Sequence, residues 1–195
     1  SQPAMSLPLE TAANQLVDAG RRFDARGWAM AGSGNYSGRL ADGTFAITVS
    51  GRHKGRLSTG DIMTVDATGK SLDERRSSAE TPLHMLVYRM RPEVQAVLHT
   101  HSVSAVTMTM PRDRRSIRLR GYEMLKALPG FPSHDDEAIL PVFDNDQDMP
   151  KLAERVETVL REAPRTPAFL LRGHGLYAWA GSVEQAVCAI EGVEH

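Results

Sequence analysis

Two histidines at alternate positions of an apolar segment are the residues best suited to chemistry in this sequence. The run Val94–Leu98 is short and rich in branched residues, and it predicts a buried strand leading into His99 and His101. Alternate residues of a strand point to one face, so the two imidazoles project together. With His174 as the best candidate for a third ligand, they predict a catalytic zinc site with an open coordination position. The alternative is a hydrogen-bonded pair of ordinary histidines.

Two further segments have compositions that suit an anion. Small residues from Ala31 to Ser37 allow backbone N–H groups to approach an anion closely, although a plain glycine loop looks the same. The second segment, 50–55, begins with Ser50 and Gly51 and continues with three basic residues. This composition suits a phosphate and equally an exposed basic loop.

The carboxylate of Glu80 has two possible roles. Ser77 and Glu80 precede a predicted helix with the spacing of a capping box, in which Glu80 would accept a hydrogen bond from the backbone. The alternative is a catalytic carboxylate at the start of that helix. The residues alone leave both open.

Composition excludes several classes of protein. The net charge of −1 gives no global field for nucleic acid or an anionic membrane, and the arginine-rich stretch 112–120 contains no aromatic residue. No apolar run is long enough to span a bilayer. Cys188, the only cysteine, permits no intrachain disulfide, which fits the cytoplasm, and we interpret it as a packing residue of the last helix.

The pattern of elements predicts an α/β protein. Helical and strand-like segments are interspersed, and Asp42-Gly43 is a strong signal for a hairpin. We expect a three-layer α/β/α arrangement on a central, largely antiparallel sheet, with residues 1–195 forming a single domain. Because no helix stop precedes His195, we also expect the native chain to continue.

Five motifs in order resemble the class II aldolase and epimerase superfamily over nearly the whole chain. They are the loop containing Asn35, Ser50-Gly51, Ser78-x-Glu80, His99-x-His101 and Gly173-His174-Gly175. Within that superfamily, segments 98–102, 122–126 and 174–179 resemble the methylthioribulose-1-phosphate dehydratases. The resemblance implies the class II aldolase fold and one Zn²⁺ per chain, held by His99, His101 and His174.

The same resemblance implies roles for other residues. Glu123 is implied as the acid/base group, with Glu80 as the second catalytic candidate. From its place one helical turn after Glu123, we infer that Lys126 could hold the phosphate or an oxyanion. The phosphate donors are implied at four positions, which are Asn35, Ser50, Gly51 and Ser78. Ala79 stands where the aldolases usually carry a second serine, so this chain lacks one phosphate hydroxyl.

The implied activity is a hydro-lyase reaction on a small sugar phosphate in methionine salvage. Zinc-dependent dehydration of 5-methylthioribulose 1-phosphate would give 2,3-diketo-5-methylthiopentyl 1-phosphate. A class II aldolase or a 4-epimerase acting on another ketose phosphate needs the same metal site and remains an alternative, as does a non-catalytic metal-binding scaffold. The resemblance further implies a homotetramer, and the composition predicts a cytoplasmic protein with no nucleic-acid or membrane partner.

Overall fold

The computed structural model describes residues 7–195 of the chain, which contain five α-helices and eight β-strands. The helices are α1 (Leu9–Ala25), α2 (Thr81–Met90), α3 (Val103–Thr109), α4 (Met149–Glu162) and α5 (Val183–Glu194). The strands are β1 (Asn35–Arg39), β2 (Phe45–Thr48), β3 (Ile62–Val65), β4 (Ala96–Thr100), β5 (Ser116–Arg120), β6 (Glu137–Phe143), β7 (Ala168–Leu171) and β8 (Gly175–Ala180). None of the described helices is long and apolar enough to cross a bilayer.

All eight strands belong to one sheet in the order β3-β2-β1-β4-β8-β7-β6-β5. Every neighbouring pair is antiparallel except β6 and β7, which confirms the predicted, largely antiparallel sheet. The predicted hairpin joins β1 to β2. At its turn, the Asp42 carboxylate accepts hydrogen bonds from the backbone and hydroxyl of Thr44, and Gly43 has a φ of +85°.

The sheet separates two apolar cores, because alternate strand residues face opposite sides. One core lies under α1 and α5, with Leu16, Leu98 and Ile190 among its residues; we call this side the α1/α5 face. The other lies under α2 and α4, with Leu86, Val97 and Leu160 among its residues; this is the α2/α4 face. The two covering layers confirm the α/β/α arrangement.

The central position of β4 explains why the histidine motif is buried. β4 pairs with β1 on one side, where His99 lies opposite Asn35, and with β8 on the other, where His99 lies opposite Tyr177. Val97 belongs to the core of the α2/α4 face, and so His99, two residues later, also points to that face. The site therefore forms where β1, β4 and β8 meet α2.

The side chain of Cys188 departs from the sequence prediction. It is exposed on α5 rather than packed in the core. The helical pattern places it beside the buried Val187 and Ala189, but at the edge of the apolar stripe.

Candidate active site

Three imidazoles converge at the end of β4. Nε2 of His99 lies 2.9 Å from Nε2 of His101 and 3.2 Å from Nε2 of His174. His99 is fully buried, while His101 and His174 are partly buried. The same-face projection and the third histidine, both expected from the sequence, thus meet in one cluster that is able to hold a metal ion.

Close backbone approach at two glycines makes this convergence possible. A Cβ atom on Gly175 would lie 2.2 Å from the carbonyl oxygen of Thr100, and one on Gly34 would lie 2.8 Å from that of His99. Any side chain at either position would push β8 or the β1 loop away from β4. The glycines therefore set the distance between the strand that carries His99 and the turn that carries His174.

Hydrogen bonds at the opposite ring nitrogens fix the protonation of two of these histidines. Nδ1 of His99 lies 2.9 Å from the Leu176 carbonyl oxygen, and Nδ1 of His174 lies 3.1 Å from Oδ1 of Asn145. Both partners are acceptors, so each Nδ1 carries the proton and each Nε2 presents a lone pair. The lone pairs on Nε2 of His99 and Nε2 of His174 therefore face each other at 3.2 Å and repel, and a cation between them would remove this repulsion.

The carboxylate of Glu80 adds a further acceptor to this cluster. Its Oε1 lies 3.0 Å from Nε2 of His174 and 3.6 Å from Nε2 of His99. Among residues 7–195 no donor satisfies this buried oxygen, since the facing nitrogens carry no proton. Nitrogen ligands of a tetrahedral zinc stand about 3.3 Å apart, close to the observed separations. The donor set therefore fits a divalent metal.

Electrostatics keep these groups in the protonation states that metal binding needs. Burial lowers the pKa of His99 well below its ordinary value and that of His101 to about 4, which leaves both rings neutral at physiological pH. Burial alone would raise the pKa of Glu80, but the hydrogen bond from the Asn35 amide opposes this effect, and the pKa of Glu80 lies below its ordinary value. The site thus combines neutral imidazoles with an ionised carboxylate.

The capping-box interpretation of Glu80 is wrong. Glu80 is the N-cap residue of α2, but its side chain makes no capping hydrogen bond. Its Oε2 instead accepts a hydrogen bond of 2.9 Å from Nδ2 of Asn35 on β1. Ser78 supports the local turn, because its hydroxyl accepts a hydrogen bond from the backbone N–H of Glu80.

A polar cavity of about 190 Å³ opens beside Glu80 and His101. Its lining includes all four residues implied as phosphate donors, which are Asn35, Ser50, Gly51 and Ser78. We call it the polar cavity. The structure thus brings these residues together from three separate segments of the chain.

Lys54 is a feature of this cavity that the sequence alone did not single out. Its side chain is 2% exposed, and its Nζ donates to the carbonyl oxygens of Gly32 and Arg52. Among residues 7–195 no carboxylate pairs with it, and burial lowers its pKa. A buried ammonium at the wall of a cavity needs an anion, and the basic segment 50–55 was the signal that could have identified it.

A second cavity, of about 360 Å³, is lined in part by His101 and His174. Met30, Val103 and Val106 give it apolar walls, and we call it the apolar cavity. The polar and apolar cavities share only His101 and Ser33 among their lining residues. His101 therefore borders both the polar and the apolar cavity.

Glu123 and Lys126 lie away from the histidine cluster of their own chain. They belong to a short 3-10 segment, residues 123–127, that packs against α5, and Leu125 is part of the core on the α1/α5 face. The Glu123 side chain is 71% exposed and forms an ion pair with Lys126, which lowers its pKa. His99 points to the opposite face of the sheet, so the structure does not bring Glu123 and the cluster together.

Comparison with known proteins agrees with this architecture. The sequence model described as Class II Aldolase and Adducin N-terminal domain matches residues 14–195. The chain belongs to this family. The crystal structure of L-fuculose-1-phosphate aldolase from Thermus thermophilus superposes with a TM-score of 0.74 at 27% identity, covering 96% of this chain and 92% of that one. YgbL from Klebsiella pneumoniae, at 24% identity over 96% of this chain and 87% of its own, shares the fold with a TM-score of 0.81.

Closer relatives of this class II aldolase family member carry a more specific name. A methylthioribulose-1-phosphate dehydratase from Methylococcus capsulatus is 50% identical over 186 residues, which are 95% of this chain and 91% of the relative. One from Marinobacter nauticus is 47% identical over 187 residues, 94% of this chain and 89% of the relative. The narrower resemblance seen in the motifs is thus confirmed over nearly the full length.

Proposed function

We propose that this chain is a zinc-dependent hydro-lyase of methionine salvage that converts 5-methylthioribulose 1-phosphate to 2,3-diketo-5-methylthiopentyl 1-phosphate. The observation that carries the proposal is the 50% identity, over 95% of the chain, to a relative of that name. The local geometry supports it, because a three-histidine cluster and an ionised carboxylate share one site. The resemblance also leads us to propose a cytoplasmic homotetramer.

The two cavities suggest an orientation for the substrate. The phosphate, at C1, carries negative charge that complements the buried ammonium of Lys54 at the wall of the polar cavity. The methylthio group, at C5, is apolar and soft, and it suits the walls formed by Met30, Val103 and Val106. This orientation places the carbons between the two ends, where the reaction occurs, beside His101 and Glu80. Since the phosphate is remote from the reacting carbons, its binding energy serves to position them.

The metal proposed at His99, His101 and His174 is Zn²⁺, one per chain. When bound, the ion supplies Lewis-acid chemistry that stabilises negative charge developing on the substrate oxygens. His99 and His174 are held for this task by Leu176 and Asn145 at their Nδ1 atoms.

The proton transfers are assigned to carboxylates. The reaction removes the C3 proton and protonates the departing C4 hydroxyl, after which tautomerisation gives the diketone. Glu80 is the carboxylate that lies at the cluster of the same chain, and in its ionised form it can accept the C3 proton.

Glu123 is the acid implied by the resemblance, and its place in the fold restricts how it acts. Because its carboxylate faces solvent on the α1/α5 face, we propose that it serves the metal site of a neighbouring copy in the tetramer. Lys126, its ion-pair partner, would then help to hold the phosphate or an oxyanion of that copy's substrate.

Product analysis tests the proposed function directly. The purified protein, loaded with zinc, is incubated with 5-methylthioribulose 1-phosphate and the product mass is measured; loss of one water with an intact carbon chain is expected. A three-carbon phosphate with a two-carbon methylthio aldehyde would show an aldolase, and a stereoinverted ketose an epimerase. No turnover with metal bound would favour a scaffold.

A further inference from the structure

A chain of buried polar side chains runs from Glu80 into the core of the α2/α4 face. Asn35 Nδ2 donates to Glu80 Oε2 at 2.9 Å, and Asn35 Oδ1 contacts Nε2 of His84. His84 Nδ1 lies 2.7 Å from the Ser37 hydroxyl, which lies 2.8 Å from the Tyr88 hydroxyl. His84 is 0% exposed and the other three side chains are 3% exposed or less. Such a network costs stability unless each member is satisfied.

The direction of every hydrogen bond in this network follows from the ionised carboxylate of Glu80. An ionised carboxylate only accepts, so Asn35 must present its NH₂ group to Glu80 and its carbonyl oxygen to His84. His84 must then carry its proton on Nε2, because a carbonyl oxygen cannot donate. Nδ1 therefore accepts from Ser37, and the Ser37 oxygen accepts from Tyr88. All donors point toward Glu80. We call this series of hydrogen bonds, which runs from Tyr88 to Glu80, the donor relay.

Burial keeps His84 in the neutral form that this relay requires. It lowers the pKa of His84 to about 4, against the opposing influence of the Glu80 charge. A neutral ring has one donor and one acceptor, which are the two groups that Asn35 and Ser37 use. If Nδ1 carried the proton instead, the Asn35 amide would have to turn its carbonyl oxygen toward the Glu80 carboxylate, which is repulsive.

We propose that His84 is a positioning residue, which orients the Asn35 amide and thereby holds the Glu80 carboxylate at the histidine cluster. This inference rests on the proposed function only for the kinetic part of its test. Both N–H groups of the Asn35 amide are engaged, one by Glu80 and the other by the Ser78 hydroxyl at 3.3 Å. The donor relay thus fixes the orientation of the Asn35 amide, which borders both the Glu80 carboxylate and the polar cavity.

Substitution of His84 tests the role through two independent readouts. His84→Leu fills much of the space but removes the donor, whereas His84→Gln keeps an N–H donor toward Asn35. Loss of a group that orients a metal-site residue typically costs about 10–100-fold. We expect His84→Leu to weaken Zn²⁺ affinity, measured without substrate, by about 10–100-fold and to lower kcat similarly with little change in KM. His84→Gln should recover most of both.

Tyr36→Phe is the matched control for loss of a buried polar group in the core. Tyr36 lies on β1 between Asn35 and Ser37, is fully buried, and belongs to the core of the opposite α1/α5 face. The Tyr36→Phe variant should retain wild-type Zn²⁺ affinity and kcat. The proposal is overturned if His84→Leu behaves like wild type, if His84→Gln loses as much as His84→Leu, or if the loss falls on KM alone.

Imidazole ¹⁵N NMR of the folded wild-type protein at neutral pH supplies a test that needs no substrate. The His84 ring, assigned by its loss in His84→Gln, is expected as the Nε2–H tautomer. The Nδ1–H tautomer or an imidazolium would contradict the relay. If the wild-type enzyme failed to dehydrate the substrate, the proposed function would be wrong, while Zn²⁺ affinity and the tautomer would still decide the role of His84.

Discussion

The carboxylate of Glu80 lies 3.0 Å from Nε2 of His174, with no proton available between them when Asn145 holds Nδ1–H of the same ring. The contact joins the N-terminus of α2 to the turn between β7 and β8. It creates a place where acceptors converge and where a divalent cation removes their mutual repulsion.

The first prediction concerns this metal site. Replacing both His99 and His101 with alanine should abolish tight Zn²⁺ binding, because one imidazole cannot form the three-nitrogen set. Metal content after dialysis and calorimetric titration measure the effect. His134→Ala, which changes a histidine outside the cluster, should retain one Zn²⁺ per chain. Full occupancy in the double variant would refute the assignment.

The second prediction separates catalysis from capping at Glu80. Glu80→Gln should lower kcat by about 10²–10⁴-fold with little change in melting temperature, since the side chain makes no capping bond. Ser182→Ala is the matched control, because the Ser182 hydroxyl does cap α5 through Gln185 N–H. It should cost about 1 kcal/mol of unfolding free energy and leave kcat intact. Lost stability with retained activity in Glu80→Gln would restore the capping role.

The third prediction tests Glu123 across copies. Glu123→Gln should keep fold and zinc while losing most of kcat, whereas Glu154→Gln, an exposed change on α4, should not. Neither Glu123→Gln nor the His99→Ala, His101→Ala double variant is active alone under this hypothesis. Refolding or co-expressing them together should restore part of the activity, because some sites then combine an intact metal centre with an intact Glu123. Near-normal dehydration by Glu123→Gln would leave Glu80 as the acid/base candidate.

The fourth prediction addresses the phosphate. Lys54→Met removes the buried positive charge of the polar cavity and should raise KM about 10–100-fold, the range for a charge-assisted hydrogen bond. Ser78→Ala should act in the same direction. Lys70→Met, at an exposed position, is the control. An equal effect of Lys54→Met on the dephosphorylated sugar would show that Lys54 only supports the loop.

The fifth prediction concerns pH. His84 has an ordinary pKa near 6.5 when unfolded and about 4 in the folded chain, so the unfolded state binds more protons between these values. Its contribution to stability is complete above pH 6.5 and declines as pH falls toward 4. Thermal unfolding of the metal-free protein over this range should show a steeper decline for wild type than for His84→Gln. Equal slopes would contradict the buried neutral histidine.

The sequence by itself determined the local elements and the residue types of the site. The alternation in β4 placed His99 and His101 on one face, and Asp42-Gly43 fixed the β1–β2 hairpin, because both depend on neighbouring residues alone. The ordered motifs also identified the family, which the match over residues 14–195 confirmed.

Only the tertiary structure decided which carboxylate meets the metal cluster. Ser77 and Glu80 have capping-box spacing, but the pairing of β1 with β4 brings Asn35 within reach and draws the Glu80 side chain away from the backbone. Glu123 and His99 lie on opposite faces of the sheet, and the carbonyl oxygens of Gly32 and Arg52 accept hydrogen bonds from the buried Lys54 ammonium. These outcomes depend on contacts between distant segments, whose geometry no local pattern encodes.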